Sequence, residues 1–234
     1  MSASAPDVGV VIVAAGSGSR VGGPERKQFR WIAGKPMLLH SVQRFQARRD
    51  VALVVCVLPR EFAGDPPPWL FQSDLDRLLV SSGGATRGES VYSGLEDLDE
   101  RCAIALIHDA ARPFVDDATI DRVVAAARTG SGAVPALPVV DTLKATDDEG
   151  RVARTVPRER LWRAQTPQGF PRTMIEEVYA RARRERVTAT DDAALCERYG
   201  HPVVVVAGSE LTMKITEEAD FERAEALLAG QPHP

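Results

Sequence analysis

The sequence is short of cysteine, of lysine and of positive charge, and each shortage removes a class of protein. Three cysteines (Cys56, Cys102, Cys196) stand far apart in 234 residues, with no pair at metal-ligand spacing. This excludes a disulfide framework and a cysteine-held metal site, and an odd, sparse count fits the reducing cytoplasm. Cys56 and Cys102 lie in or beside apolar runs, where cysteine acts as a small hydrophobe. The 29 basic residues are outnumbered by 33 acidic ones, for a net charge of −4, which argues against a general nucleic-acid binder. A small phosphorylated ligand is still allowed, because it needs only a local positive pocket. With 26% charged and 44% hydrophobic residues, the chain reads as globular, with material for a sizeable core and no membrane span. Met1 to Asp7 is a polar tail without a basic region, and the apolar run after it breaks at Gly16, so no secretory signal is expected. Only four basic residues are lysine (Lys27, Lys35, Lys144, Lys214), so each one is worth following.

Short apolar runs alternate with helical patterns. Val8–Ala14, Val51–Leu58, Leu78–Val80, Ala103–His108, Gly132–Ala136 and Val203–Ala207 are continuous rather than alternating, as strands buried on both faces are. Pro36–Arg48, Ser90–Leu98, Asp117–Arg128, Pro171–Arg186, Asp191–Tyr199 and Glu217–Leu228 carry apolar residues at helical spacing. Ser90 and Thr190 mark N-cap neighbourhoods, and Glu217-Glu218 place negative charge at a helix start. Strands spaced by helices predict an α/β protein, a mostly parallel sheet with helices on both faces. Pro138 to Leu161 breaks the rhythm: extended pieces flank Asp147-Asp148-Glu149-Gly150, a hairpin-turn signal. We read one domain over residues 1–234, with a protruding β-arm at about 138–161. Pro66-Pro67-Pro68 is a rigid connection within it, and Arg181, Arg183, Arg184 and Arg186 alternate with glutamates as a solvated helix face.

The first strand runs into Ala14-Ala15-Gly16-Ser17-Gly18-Ser19-Arg20. Glycines at this place let a backbone approach a phosphate and present N–H donors to it. A P-loop is excluded because no lysine follows Gly22 or Gly23. A dinucleotide fingerprint fails at Val21, where a third glycine belongs, and at Leu58-Pro59-Arg60, where an acid belongs. What remains is a loop carrying Arg20 and, a few residues on, Pro24-Glu25-Arg26-Lys27-Gln28: two cations flanking a glycine turn suit a triphosphate, and an ordinary surface loop with solvated charges is the other reading.

Ala14-Ala15-Gly16-x-Gly18-x-Arg20 followed by Lys27 resembles the signature of nucleotidyltransferases that activate sugars and polyols. Three further stretches narrow the resemblance, His108-Asp109-Ala110-Ala111-Arg112-Pro113, Asp141-Thr142-Leu143-Lys144 and Gln165-Thr166-Pro167-Gln168, and Thr190-Asp191-Asp192 and Met213-Lys214-Ile215-Thr216 complete the set. Together they resemble the 2-C-methyl-D-erythritol 4-phosphate cytidylyltransferases of non-mevalonate isoprenoid synthesis, over Val8 to Leu228.

The resemblance implies a Rossmann-like fold and attack by a substrate phosphate oxygen on the α-phosphorus of CTP, expelling pyrophosphate. A phosphate monoester has its second pKa near roughly 6 and is already largely dianionic, so the reaction needs no general base. Positioning and charge neutralisation carry it. Catalytic roles are implied for Arg20, Lys27, Arg158 and Lys214, with Mg²⁺ or another divalent cation on the CTP phosphates and no dedicated metal site. The nucleotide side is implied for Ala14, Ala15, Gly16, Gly18, Gly84, Ala85, Ser90 and Asp109. Many members have aspartate where this chain has Ala85, so base selection is expected to rest on backbone groups and Ser90. Asp109 suits the ribose, a substrate hydroxyl or the metal, and Arg112 suits a substrate oxygen or an ion pair with Asp109. His108 is read as structural or as a contact and is not placed in the site. Thr142, Thr166, Thr190 and Lys214 are implied on the polyol-phosphate side, and Arg158 in the neighbouring subunit's site of a homodimer joined through the arm. Two other readings stand beside this one: a cytidylyltransferase for another polyol phosphate such as ribitol 5-phosphate, and a nucleotide-binding module without catalysis.

Overall fold

The structure, a computed structural model, describes residues 5–16 and 26–229, with side chains described through residue 227. β1 (Val8–Val13) is followed by a small hairpin, β2 (Trp31–Ile32) and β3 (Lys35–Pro36), and by α1 (Met37–Gln46). Next come β4 (Val51–Leu58), the short α2 (Arg60–Ala63), β5 (Leu78–Ser82), α3 (Arg87–Glu96), β6 (Ile104–Asp109), α4 (Asp117–Ala127) and β7 (Gly132–Pro138). The chain continues through β8 (Leu143–Thr146), β9 (Val152–Val156), β10 (Trp162–Ala164), β11 (Gln168–Pro171), α5 (Arg172–Glu185), α6 (Asp192–Arg198), β12 (Val203–Ala207) and α7 (Glu218–Ala229). All six expected strands and all six expected helices are present, with ends shifted by up to three residues. Among the described residues no helix is long and apolar enough to cross a membrane.

The main sheet is mixed and mostly parallel, ordered β10-β7-β11-β6-β1-β4-β5, with β12 parallel to β7. Period-two alternation divides the strands between two cores. On β1, Val8, Val10 and Ile12 enter the layer under α1 and α4, while Val11 enters the layer under α3, α5 and α6. Each of these β1 side chains is fully buried, a contribution of roughly 1.5–3 kcal/mol apiece before entropy is counted. A third, smaller cluster joins Ile32 and Met37 to Ile215, Phe221 and Ala224, so α7 and the β2–β3 hairpin pack as one unit. α3 lies very close to the sheet: a Cβ on Gly94 would stand 2.5 Å from Val11 Cγ1 and 2.8 Å from Val57 Cγ2.

Two antiparallel strands depart from the expected pattern. β11 pairs antiparallel with β6, and β10 with β7, which makes the sheet mixed. One helix start differs and one agrees. α3 begins at Arg87 with Thr86 as its cap, four residues before Ser90, whereas α6 is capped by Asp191, directly after Thr190. The first turn of α3 is polar, so apolar spacing begins only at Val91. β8 and β9 form a two-stranded antiparallel sheet closed at Asp147–Gly150, where Gly150 has φ +80. Val139 is not a strand residue but donates its N–H to Leu161 O at 3.0 Å.

Candidate active site

Sites in open α/β sheets form outside the carboxyl ends of parallel strands, and here β1, β5 and β6 all deliver residues to one cleft of about 510 Å³. β1 runs on into Ala14 and Ala15. Buried Gln28 fixes the stretch after it by donating to Ala14 O at 2.5 Å and Gly16 O at 3.2 Å. Gly83 directly follows β5, and a Cβ there would stand 2.3 Å from Ala15 Cβ, so only glycine lets the two turns meet. In the turn entering α3, Ser90 Oγ accepts from Gly84 N at 3.2 Å and donates to Thr86 O at 2.9 Å. Ala85 N donates to Glu89 Oε2 at 2.7 Å, which fixes the backbone of this turn.

β6 delivers Asp109 among cations. Lys214 Nζ donates to Asp109 Oδ2 at 2.8 Å, and Arg87 approaches Oδ1 at 3.3 Å. Burial opposes ionisation of Asp109, but Arg87, Lys214 and Arg112 outweigh it and hold the carboxyl below the usual carboxylate range. Arg87 also forks onto Asp192, with both bonds at 2.8 Å, and the Tyr179 hydroxyl donates to Asp192 Oδ1 at 2.5 Å. Burial alone would weaken the charge of Arg87, yet Asp192 and Asp109 keep it firmly protonated.

Lys214 is set by its flanking backbone. Ile215 N donates to Ala111 O at 2.8 Å, and Lys27 Nζ donates to Ile215 O at 2.7 Å. Two of the four lysines, Lys27 and Lys214, thus line the cleft. Lys35 bonds Gln43 and Lys144 bonds Thr155 elsewhere. Lys27 is half-buried in a turn rather than in an exposed loop.

The cleft therefore brings together Ala14, Ala15, Gly16, Lys27, Gly84, Ala85, Ser90, Asp109 and Lys214 from the sequence reading. Gly18 and Arg20 lie outside the described residues. Arg112 makes no direct ion pair with Asp109: its guanidinium donates to Thr212 O at 2.7 Å and Ala164 O at 3.3 Å, clamping the segment that leads to Lys214. Thr166 is buried, only 5% exposed, with its hydroxyl accepting from Asp109 N at 3.0 Å, so it shapes the end of β6 instead of facing the cleft. Thr142, Arg158 and Thr190 are exposed and outside the cleft lining. Arg158 donates to Val140 O on its own arm. The sequence reading assigned no role to Arg87, Tyr179 or Gln28, nor to Asp192 within its motif. Arg87 stands in the turn entering α3 and Gln28 directly after Lys27, but only their long-range partners reveal them.

His108 completes the network. Its Nδ1 lies 3.2 Å from Thr166 Oγ1 and its Nε2 3.0 Å from Arg112 O. With Thr166 accepting from Asp109 N, the hydroxyl donates to Nδ1 and a neutral ring donates from Nε2 to the carbonyl. Burial pushes the His108 pKa down to about 4. The unfolded chain therefore takes up this proton first as pH falls, so the associated stability is complete above about pH 6.5 and is lost towards pH 4. His108→Gln is expected to flatten the stability–pH slope by nearly one proton around pH 5, roughly 1.2 kcal/mol per pH unit, and by about half as much at pH 6.5. Denaturant unfolding at several pH values checks this, and an unchanged slope would contradict it.

The comparisons with known proteins agree with this geometry. A family profile, IspD: 2-C-methyl-D-erythritol 4-phosphate cytidylyltransferase, matches residues 8–230. The chain belongs to this family. It is 40% identical over 227 residues to the 2-C-methyl-D-erythritol 4-phosphate cytidylyltransferase of Frankia casuarinae, covering 97% of this chain and 83% of that one. It is 46% identical over 229 residues to a bifunctional enzyme IspD/IspF of Rhodospirillum rubrum, covering 96% of this chain but only 58% of the relative's length. The crystal structure of the Thermus thermophilus 2-C-methyl-D-erythritol 4-phosphate cytidylyltransferase superposes with a TM-score of 0.80 at 39% identity, over 95% of this chain and 99% of that one. Membership in the cytidylyltransferase family gives the cleft a chemical frame: a glycine-bearing turn, a second turn at the start of α3, and two lysines meeting from distant segments.

Proposed function

We propose that this chain transfers the cytidylyl group of CTP to 2-C-methyl-D-erythritol 4-phosphate, giving 4-diphosphocytidyl-2-C-methyl-D-erythritol and pyrophosphate. The observation that carries this reading is the convergence of Lys27 and Lys214 on one cleft with the Ala14–Gly16 backbone and the turn at 83–86. The dianionic substrate phosphate attacks the α-phosphorus in line. Lys27 neutralises charge developing on the triphosphate, with Arg20 assigned the same work by resemblance. Lys214 serves the phosphate side of the polyol while anchored on Asp109.

A divalent cation belongs to this reading. Asp109 is the one carboxylate among the described cleft-lining residues, and both its oxygens face cations. With both oxygens so engaged, Asp109 offers at most one ligand, so a hard cation would arrive on the nucleotide, take its ligands chiefly from phosphate oxygens and water, and there neutralise phosphate charge.

The substrate side beyond the cleft is assigned to a homodimer. Val140, Val152 and Trp162, at 67, 62 and 49% exposure, leave apolar surface on and beside the arm, and a two-fold exchange of arms covers it. In that arrangement Arg158 serves the partner's polyol phosphate, while Thr142 and Thr190 are assigned to the polyol-phosphate side by resemblance. A monomer in sedimentation under assay conditions would contradict this. Cytoplasmic placement belongs to the same reading, in keeping with three free, buried cysteines.

Nucleotide choice provides the test. CTP is expected to be favoured over UTP by at least about 10²-fold in kcat/KM despite Ala85, because a site that hydrogen-bonds one base edge leaves polar groups unpaired with the other base. Pyrophosphate release with each nucleotide measures it, and equal efficiency would show that the base pocket is not selective.

A further inference from the structure

Four cations line the cleft among the described residues: Arg26, Lys27, Arg87 and Lys214. Three are tied to groups that hold the site together. Arg87 is forked onto Asp192, whose side chain is fully buried, Lys214 is bonded to Asp109, and Lys27 is bonded to the Ile215 carbonyl. Arg26 differs. Its ion-pair partner is Glu61, which belongs to α2, lies outside the cleft lining and has a side chain 51% exposed, while that of Arg26 is 32% exposed. A pair between such exposed side chains is weakly held and readily exchanged, whereas separating Arg87 from Asp192 would strand a buried charge. The Arg26 backbone is anchored through its carbonyl to Phe29 N at 2.9 Å, so the side chain can swing while its root stays beside Lys27.

We propose that Arg26 is a further triphosphate-binding residue, exchanging Glu61 for the phosphate oxygens of CTP as the nucleotide enters. Glu61 is then a competitor that sets how much of the Arg26 interaction reaches the nucleotide. The inference rests on the cytidylyltransferase reading above and deepens it. It extends the cationic lining to a position that the sequence motifs do not include, and a guanidinium suits phosphate because its donors form a fixed fork.

The experiment is calorimetric titration of the unaltered protein and of Arg26→Ala, Glu61→Gln and the double variant with CTP and with CMP, at one Mg²⁺ concentration. Both residues are at the surface, so the variants should fold, and thermal melts verify that they do. Arg26→Ala is expected to weaken CTP binding about 10-fold, the scale of one charge-assisted hydrogen bond, and CMP binding by less than about twofold. Glu61→Gln is expected to tighten CTP binding by about threefold, and that gain should vanish in the double variant, because Glu61 acts through Arg26. Unchanged CTP affinity in Arg26→Ala would overturn the proposal. Weakening by both single variants would overturn it too, since that marks a purely structural pair. A Glu61→Gln gain that persists without Arg26 would assign the effect to the field of Glu61 and overturn it as well. If the unaltered protein neither binds CTP nor releases pyrophosphate, the functional reading fails first, and that result is distinct from every outcome above.

Discussion

Lys27→Ala is expected to lower kcat by about 10²–10³-fold, the scale of one preorganised donor aimed at charge that develops in the transition state. The fold should survive. Lys27 is half-buried and bonds Ile215 O at 2.7 Å, a contact worth about 0.5–1.5 kcal/mol net. Steady-state pyrophosphate release, with a thermal melt of the same sample, separates the two effects. Turnover close to that of the unaltered protein would remove Lys27 from the chemistry. A melt lowered by tens of degrees would show instead that Lys27 is structural.

Arg87→Met should have the largest effect on stability. Asp192 has no exposed side-chain surface, and its charge is balanced by the two guanidinium bonds at 2.8 Å. Removing the guanidinium leaves that carboxylate buried with the Tyr179 hydroxyl but without its counter-charge, a loss of about 3–5 kcal/mol. For a chain of this size that corresponds to a melting temperature lower by roughly 6–20 °C. Replacing both partners, as Arg87→Met with Asp192→Leu, should recover much of the loss, since the stranded charge is then gone. Denaturant unfolding of the three proteins measures it, and a single-variant loss below about 1 kcal/mol would contradict the pair's importance.

The legible parts of this molecule were those that need only local pattern. β1, β4 and β6 are apolar on both faces because both faces are covered, and that condition is written directly in their residues. β10 and β11 were not legible. Trp162-Arg163-Ala164 is exposed and three residues long, and Gln168-Gly169-Phe170-Pro171 combines glutamine, glycine and proline, so their strand character comes from neighbours in the sheet. The site divides the same way. Lys27 and Lys214 could be singled out because lysine is rare in this chain and both stand in motifs. Arg87 could not, because its meaning depends on Asp192, 105 residues away. Thr166 shows the converse. Its motif marks it, but that its buried hydroxyl bridges Asp109 N and His108 is visible only in the fold.

The most direct test of the account is to separate and weigh the products formed from CTP, Mg²⁺ and 2-C-methyl-D-erythritol 4-phosphate, with ribitol 5-phosphate in a parallel reaction. The expected result is 4-diphosphocytidyl-2-C-methyl-D-erythritol and pyrophosphate in equal amounts, with little product from the ribitol ester. Preference for the ribitol ester, or CTP binding with no pyrophosphate from either acceptor, would contradict it.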